Sequence, residues 1–224
     1  MLCQYAGTHG VRGAISSRPD HAPVGTLCRR TSDRRPKGLV GLVLVAPAPP
    51  SPLNLPEETR VNMSGPNVSE VVTAALKQVL TFKPISAEDA ELLVSDAVRA
   101  WPTARTAWPR QTSLEDITSA VGQINVPTLV ISGDKDKVDP VETLKRELLP
   151  RISGAVLQVL PDVGHLSPLE APKEVALHLD SFAKELQSKH SSDTARFATR
   201  RSPNTTGENR VPTSSFLPAI RPAA

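Results

Sequence analysis

The 224-residue chain holds 26 Lys/Arg and 23 Asp/Glu, a net charge of +3 that is concentrated at its ends. Residues 1–37 are net +5 and residues 188–224 net +4, whereas residues 38–187 are net −6, so the foldable middle lacks the basic face of a nucleic-acid module. Two cysteines, Cys3 and Cys28, build neither a disulfide framework nor a metal cluster, and the longest apolar run, residues 39–48, is too short to span a membrane.

The expectation is one cytoplasmic domain with tails, no nucleic-acid or membrane partner, no metal and no cofactor; the start, MLCQYAGTHGVRG, carries no apolar signal core. Residues 1–37 show no sustained apolar period, with Gly, Pro and Arg scattered through GTHGVRGAISSRPDHAPVG, and read as a disordered basic segment. At Gly38 the character changes. Residues 39–46, LVGLVLVA, are continuously apolar and end in APAPPSP, the pattern of a buried parallel strand leaving its sheet.

Residues 53–125 are mainly helical in pattern. Val68, Val71, Val72, Ala75, Leu76, Val79 and Leu80 fall on one helical face. Ser86 is placed to cap a second helix with Glu88 and Asp89 in its first turn, and Ser113 a third with Glu115 and Asp116 early. Trp101 and Trp108 flank the join of these two helices; packing between helices is their expected fate, ahead of lining an acyl pocket.

Residues 128–132 and 155–160 are short runs rich in Val, Leu and Ile and read as strands. Between them Asp139 is the expected N-cap of a helix, with Pro140 at its first position and Val141, Leu144, Leu148 and Leu149 as its apolar face. Strand, helix and strand of these lengths make a crossover between parallel strands. Pro172 opens a last helix, where Val175, Leu179, Phe182 and Leu186 follow at steps of four, three and four. Beyond residue 187 the period stops, and residues 188–224 read as a disordered tail.

Parallel strands carry the loops leaving their carboxyl ends on one sheet edge. One such loop holds Asp134 and Asp136, and the other holds His165. Neighbouring strands lie about 4.8 Å apart, so a carboxylate and an imidazole can meet above the sheet. The carboxylate then fixes the ring tautomer and stabilises the imidazolium formed when the other nitrogen takes a proton.

The segments GDKDKVDP, residues 133–140, and PDVGHLSPLEAP, residues 161–172, resemble the carboxyl-terminal part of an α/β-hydrolase. The resemblance implies that Asp136, third after the strand-end glycine, is the catalytic acid, with Asp134 directed elsewhere. It implies equally that His165, in the G-H motif after the last strand, is the catalytic histidine. It covers residues 38–187, an α/β fold made of the late parallel strands with a helical cap inserted at about 53–125. It implies a serine-type hydrolase acting on a small ester or other acyl substrate; an aspartate nucleophile, as in dehalogenases and epoxide hydrolases, stays open.

No G-x-S-x-G elbow occurs in the chain, and G-T-H-G at residues 7–10 is a weak echo of an oxyanion loop. The nucleophile is therefore unknown, and a truncated or degenerate, non-catalytic chain is the alternative expectation. With no strand legible beside residues 39–46, that edge is expected to stay uncovered and to drive self-association.

Overall fold

The computed structural model describes residues 2–7, 10–14 and 39–199, with side chains from residue 39 to residue 189. The chain divides into two compact units, Met1–Ser188 and Lys189–Ala224. The first holds one sheet of five strands among the described residues: β1 (Leu2–Gly7), β2 (Gly10–Ala14), β3 (Leu39–Val45), β4 (Thr128–Gly133) and β5 (Val156–Leu160), in the order β2-β1-β3-β4-β5.

Strands β3, β4 and β5 are parallel, in register from Leu42↔Thr128 to Val45↔Ile131 and from Leu129↔Val156 to Gly133↔Leu160. The continuous apolar runs of β3 and β4 are explained by burial on both faces. Leu42, Leu44 and Val130 pack on one face with Val121, Ile124, Leu144, Leu148 and Ile152. Val43, Val45, Leu129 and Ile131 pack on the other with Leu160, Val163, Ala171 and Val175. Alternation along β3 and β4 thus feeds two cores. β5 is an outer strand, and Val156 and Val159 on it are exposed.

The reading of residues 1–37 as disordered is corrected at β1 and β2. These strands pair antiparallel from Cys3↔Ala14 to Gly7↔Gly10, and β1 pairs antiparallel with β3 from Leu2↔Val45 to Gly7↔Leu39, with a register shift after Ala6. The β3 edge expected to stay uncovered is therefore paired, because backbone N–H and C=O groups bind a strand whatever its side-chain pattern. The outer strands of this sheet are β2 and β5. The rest of residues 1–37 lies outside the described residues.

Five helices separate β3 from β4: α1 (Glu57–Ser64), α2 (Ser69–Ala75), which runs on as a π-helical turn at Leu76–Leu80, α3 (Ala87–Arg99), α4 (Pro102–Arg110) and α5 (Thr118–Val121). Ser86 caps α3 as expected: its Oγ accepts from the Asp89 N–H at 3.0 Å and donates to Asp89 Oδ2 at 2.6 Å. Ser113 does not cap a helix. It is buried, donates to the Pro109 carbonyl at 3.2 Å, and sits in a 3₁₀ turn; Asp116 instead accepts from the Thr118 N–H at 2.9 Å where α5 begins.

The expected apolar face around α2 is fully buried only at Leu76, and Val71 is 62% exposed. Trp101 is 78% exposed beside α4 rather than packed between helices, and Trp108 is half-buried.

After β4 comes α6 (Val141–Glu147), whose N-cap is Pro140 and not Asp139; the Pro140 carbonyl accepts from Thr143 and Leu144. A short α7 (Ser167–Glu170) precedes α8 (Pro172–Thr199), so the helix continues past residue 187, where a tail was expected. Val175 and Leu186 of α8 are buried, and Leu179 and Phe182 pack on the second core. Residues 200–224 lie outside the described residues. Among the described residues no helix is long and apolar enough to cross a membrane.

Candidate functional site

The loops leaving β4 and β5 are bonded to each other before any side chain is considered. The Asp134 N–H donates to the Leu160 carbonyl at 3.0 Å, and the Lys135 N–H to the Val163 carbonyl at 2.9 Å. Gly133 makes this crossing possible, because a Cβ there would stand 2.0 Å from the Val163 oxygen. A close approach of two backbones is what glycine allows.

Asp136 follows this crossing, and its side chain is wholly buried. Its Oδ1 accepts from the Val138 N–H at 2.8 Å and the Asp139 N–H at 2.9 Å. Its Oδ2 accepts from the His165 Nδ1–H at 2.9 Å. A buried carboxylate with three donors is fully engaged, which offsets its desolvation. The carboxylate places the ring proton of a neutral His165 on Nδ1 and leaves Nε2 as an acceptor. The His165 side chain is 18% exposed, so the ring is sheltered on most sides. Among the described residues no serine is hydrogen-bonded to Nε2.

Asp134 does not reach the ring. Its Oδ2 accepts from Lys135 Nζ at 2.8 Å, and this hydrogen bond holds the Asp134 carboxyl below its ordinary pKa. Sequence reasoning named Asp136, Asp134 and His165, and the structure brings the first and third together.

Two further carboxylates belong to the site and were not read from the sequence. Asp139 is buried beside the pair, and its carboxyl is pushed up to about 7, first by desolvation and then by the Asp136 charge, with His165 opposing. Its place before Pro140 is what made it read as a helix cap. Glu170, at the end of α7, accepts with one oxygen, Oε2, from the N–H groups of Phe82 at 2.7 Å, Lys83 at 2.8 Å and Gly164 at 2.9 Å. The Leu80 carbonyl accepts from the His165 and Leu166 N–H groups at 3.0 and 3.1 Å. The histidine loop is thus tied to the helical insertion as well as to the sheet. Among the described residues no three His, Cys, Asp or Glu side chains converge as a metal site.

A model of the alpha/beta hydrolase family matches residues 7–177. Over 77 residues the chain is 35% identical to Lipase 3 of Moraxella sp. (strain TA144), a match covering 34% of this chain and 24% of that protein. An esterase from Exiguobacterium antarcticum superposes with a TM-score of 0.61 at 18% identity, over 71% of this chain and 63% of the esterase. A bromoperoxidase from Bacillus anthracis gives 0.58 at 17% identity, over 73% and 62%. At such identities the likeness to the two structures is one of fold. The chain spans about a quarter of the curated relative and less than two thirds of either solved structure.

Proposed function

The chain belongs to the alpha/beta hydrolase family, and from that premise we propose that Asp136 and His165 are the acid and the general base of a serine-type hydrolase site for small ester or other acyl substrates. The carrying observation is the 2.9 Å bond from His165 Nδ1 to a buried carboxylate. The lipase and the esterase named above support the substrate class.

In this reading Nε2 takes the proton of a nucleophile hydroxyl as its oxygen attacks the acyl carbon. The imidazolium charge that develops faces Asp136, which two backbone N–H groups hold in place. The same proton then passes from Nε2 to the leaving alkoxide. Helices α1–α5 act as the cap over this edge, joined to the histidine loop through Leu80.

A second reading has a specific observation behind it. The chain has no G-x-S-x-G, and β1 lies antiparallel along the β3 edge where the family's next parallel strand is expected. The acid–base pair then persists with no hydroxyl to activate, and the chain is non-catalytic.

One experiment decides between these readings: hydrolysis of p-nitrophenyl acetate and butyrate, with fluorophosphonate labelling, by the wild type and His165→Ala. The hydrolase reading expects ester turnover that falls to background in His165→Ala, with a labelled serine in the wild type; the non-catalytic reading expects the wild type and His165→Ala to be equally inactive and unlabelled. Serine labelling that disappears in His165→Ala would establish a working hydrolase. Ester turnover indifferent to His165→Ala would remove His165 from the role of base.

A further inference from the structure

Glu170 is a carboxylate beside the site that neither reading uses. It is nine-tenths buried, and its single oxygen Oε2 gathers three backbone N–H groups from two separate stretches of chain. Phe82 and Lys83 follow the π-helical turn of the helical insertion, and Gly164 immediately precedes His165. Backbone donors to an ionised acceptor make stronger hydrogen bonds than neutral pairs.

The neighbouring peptides complete the arrangement. The Gly164 N–H reaches the insertion through Glu170, and the His165 N–H reaches it directly at the Leu80 carbonyl. Two successive peptide groups of the histidine loop are therefore referenced to residues 80–83. Gly164 lies directly against this contact, with no space for a side chain: a Cβ there would meet the Phe82 nitrogen at 2.8 Å and Glu170 Oε1 at 2.9 Å. Glu170 Oε1 itself has no partner, so Oε2 carries all of the contact.

We propose that Glu170 is a positioning residue, which sets the ring of His165 against Asp136 and makes that placement depend on the helical insertion. The proposal rests on the Asp136–His165 reading above. Glu170 touches neither ring nor carboxylate of the pair; it acts through the Gly164 peptide. Displacement of residues 80–83 then reaches the imidazole through a carboxylate latch.

The test is proton NMR of the full chain, following the low-field His165 Nδ1–H resonance, assigned by its loss in His165→Ala, together with amide exchange. In Glu170→Ala the resonance should vanish into exchange with water. The Gly164, Phe82 and Lys83 amides should exchange at least about 100-fold faster, while Val130 and Ile131 in the sheet stay protected. Glu170→Asp keeps the charge but withdraws the oxygen by one C–C bond, about 1.5 Å, and should also lose the resonance. Glu170→Gln keeps a carbonyl acceptor at full reach and should restore it. If Glu170→Ala does not fold, Glu170→Asp decides. Persistence of the resonance in a folded Ala or Asp variant overturns the proposal. Absence of the resonance from the wild type overturns the Asp136–His165 pairing itself, and the latch with it.

Discussion

Asp139 gives this chain a pH dependence that runs against ordinary acid denaturation. Its carboxyl is buried beside Asp136 and His165, and it is raised from 3.8 to about 7, chiefly by desolvation. The folded state therefore binds this proton more tightly than the unfolded state. The resulting stability is fully present below the unfolded value, near pH 4, and is lost as pH rises through about 7. At 1.36 kcal/mol per unit, a rise of about three units amounts to roughly 4 kcal/mol in all, more than half of it falling between pH 5 and pH 8. Asp139→Asn removes the titration and keeps the backbone N–H that donates to Asp136 Oδ1. Urea unfolding of both chains at pH 5, 6, 7 and 8 measures the difference. The wild type should lose about 2–3 kcal/mol more than the variant across that range, with the two chains of similar stability at pH 5. Parallel pH profiles would show that Asp139 is ionised in the fold and that its burial has been misjudged.

Gly133→Ala should cost more than about 3 kcal/mol, because the new Cβ would lie 2.0 Å from the Val163 oxygen and 2.5 Å from its carbonyl carbon. A urea midpoint close to wild type would mean that the two loops do not cross so closely. Leu144→Ala, at a fully buried position of the first core, should lose about 2–5 kcal/mol by the same measurement. An unchanged midpoint would place α6 off the sheet. Trp101→Ser should change stability by less than about 0.5 kcal/mol and remove the longer-wavelength component of tryptophan emission, since Trp101 is 78% exposed. A larger loss would mean that this indole is covered.

The parts of the fold that were legible are those whose physics is local. Strands β3 and β4 are buried on both faces, so each is a continuous apolar run, and the Ser86 cap sits three residues before the N–H it serves. Asp136 and His165 were legible because each follows a parallel strand and stands in a short motif. The hairpin of β1 and β2 was not: LCQYAG and GVRGA have no period of two, and β3, which joins β1 to the rest of the sheet, is far along the chain. Ser113 and Asp139 read as caps because helix-start signals are short, but each side chain is buried, and other groups accept where α5 and α6 begin. Glu170 looks like a surface residue of a short helix. Its burial arises from contacts with residues 82 and 83, almost ninety positions away, which no local pattern records.

The direction of β1 has a practical consequence for anyone building on this chain. Leu2 stands opposite Val45 and Gly7 opposite Leu39, so β1 begins at the end of the sheet where β3 finishes and runs back toward its start. Because β3 and β4 are parallel, the Leu2 end lies toward the same rim as the loops carrying Asp136 and His165. Gly7 and Gly10 pair at the opposite rim. A peptide fused ahead of Leu2 would be delivered toward the His165 side of the sheet, whereas one grafted between Gly7 and Gly10 would project from the far side. An affinity handle therefore belongs at the second place, and a designed hydroxyl donor at the first.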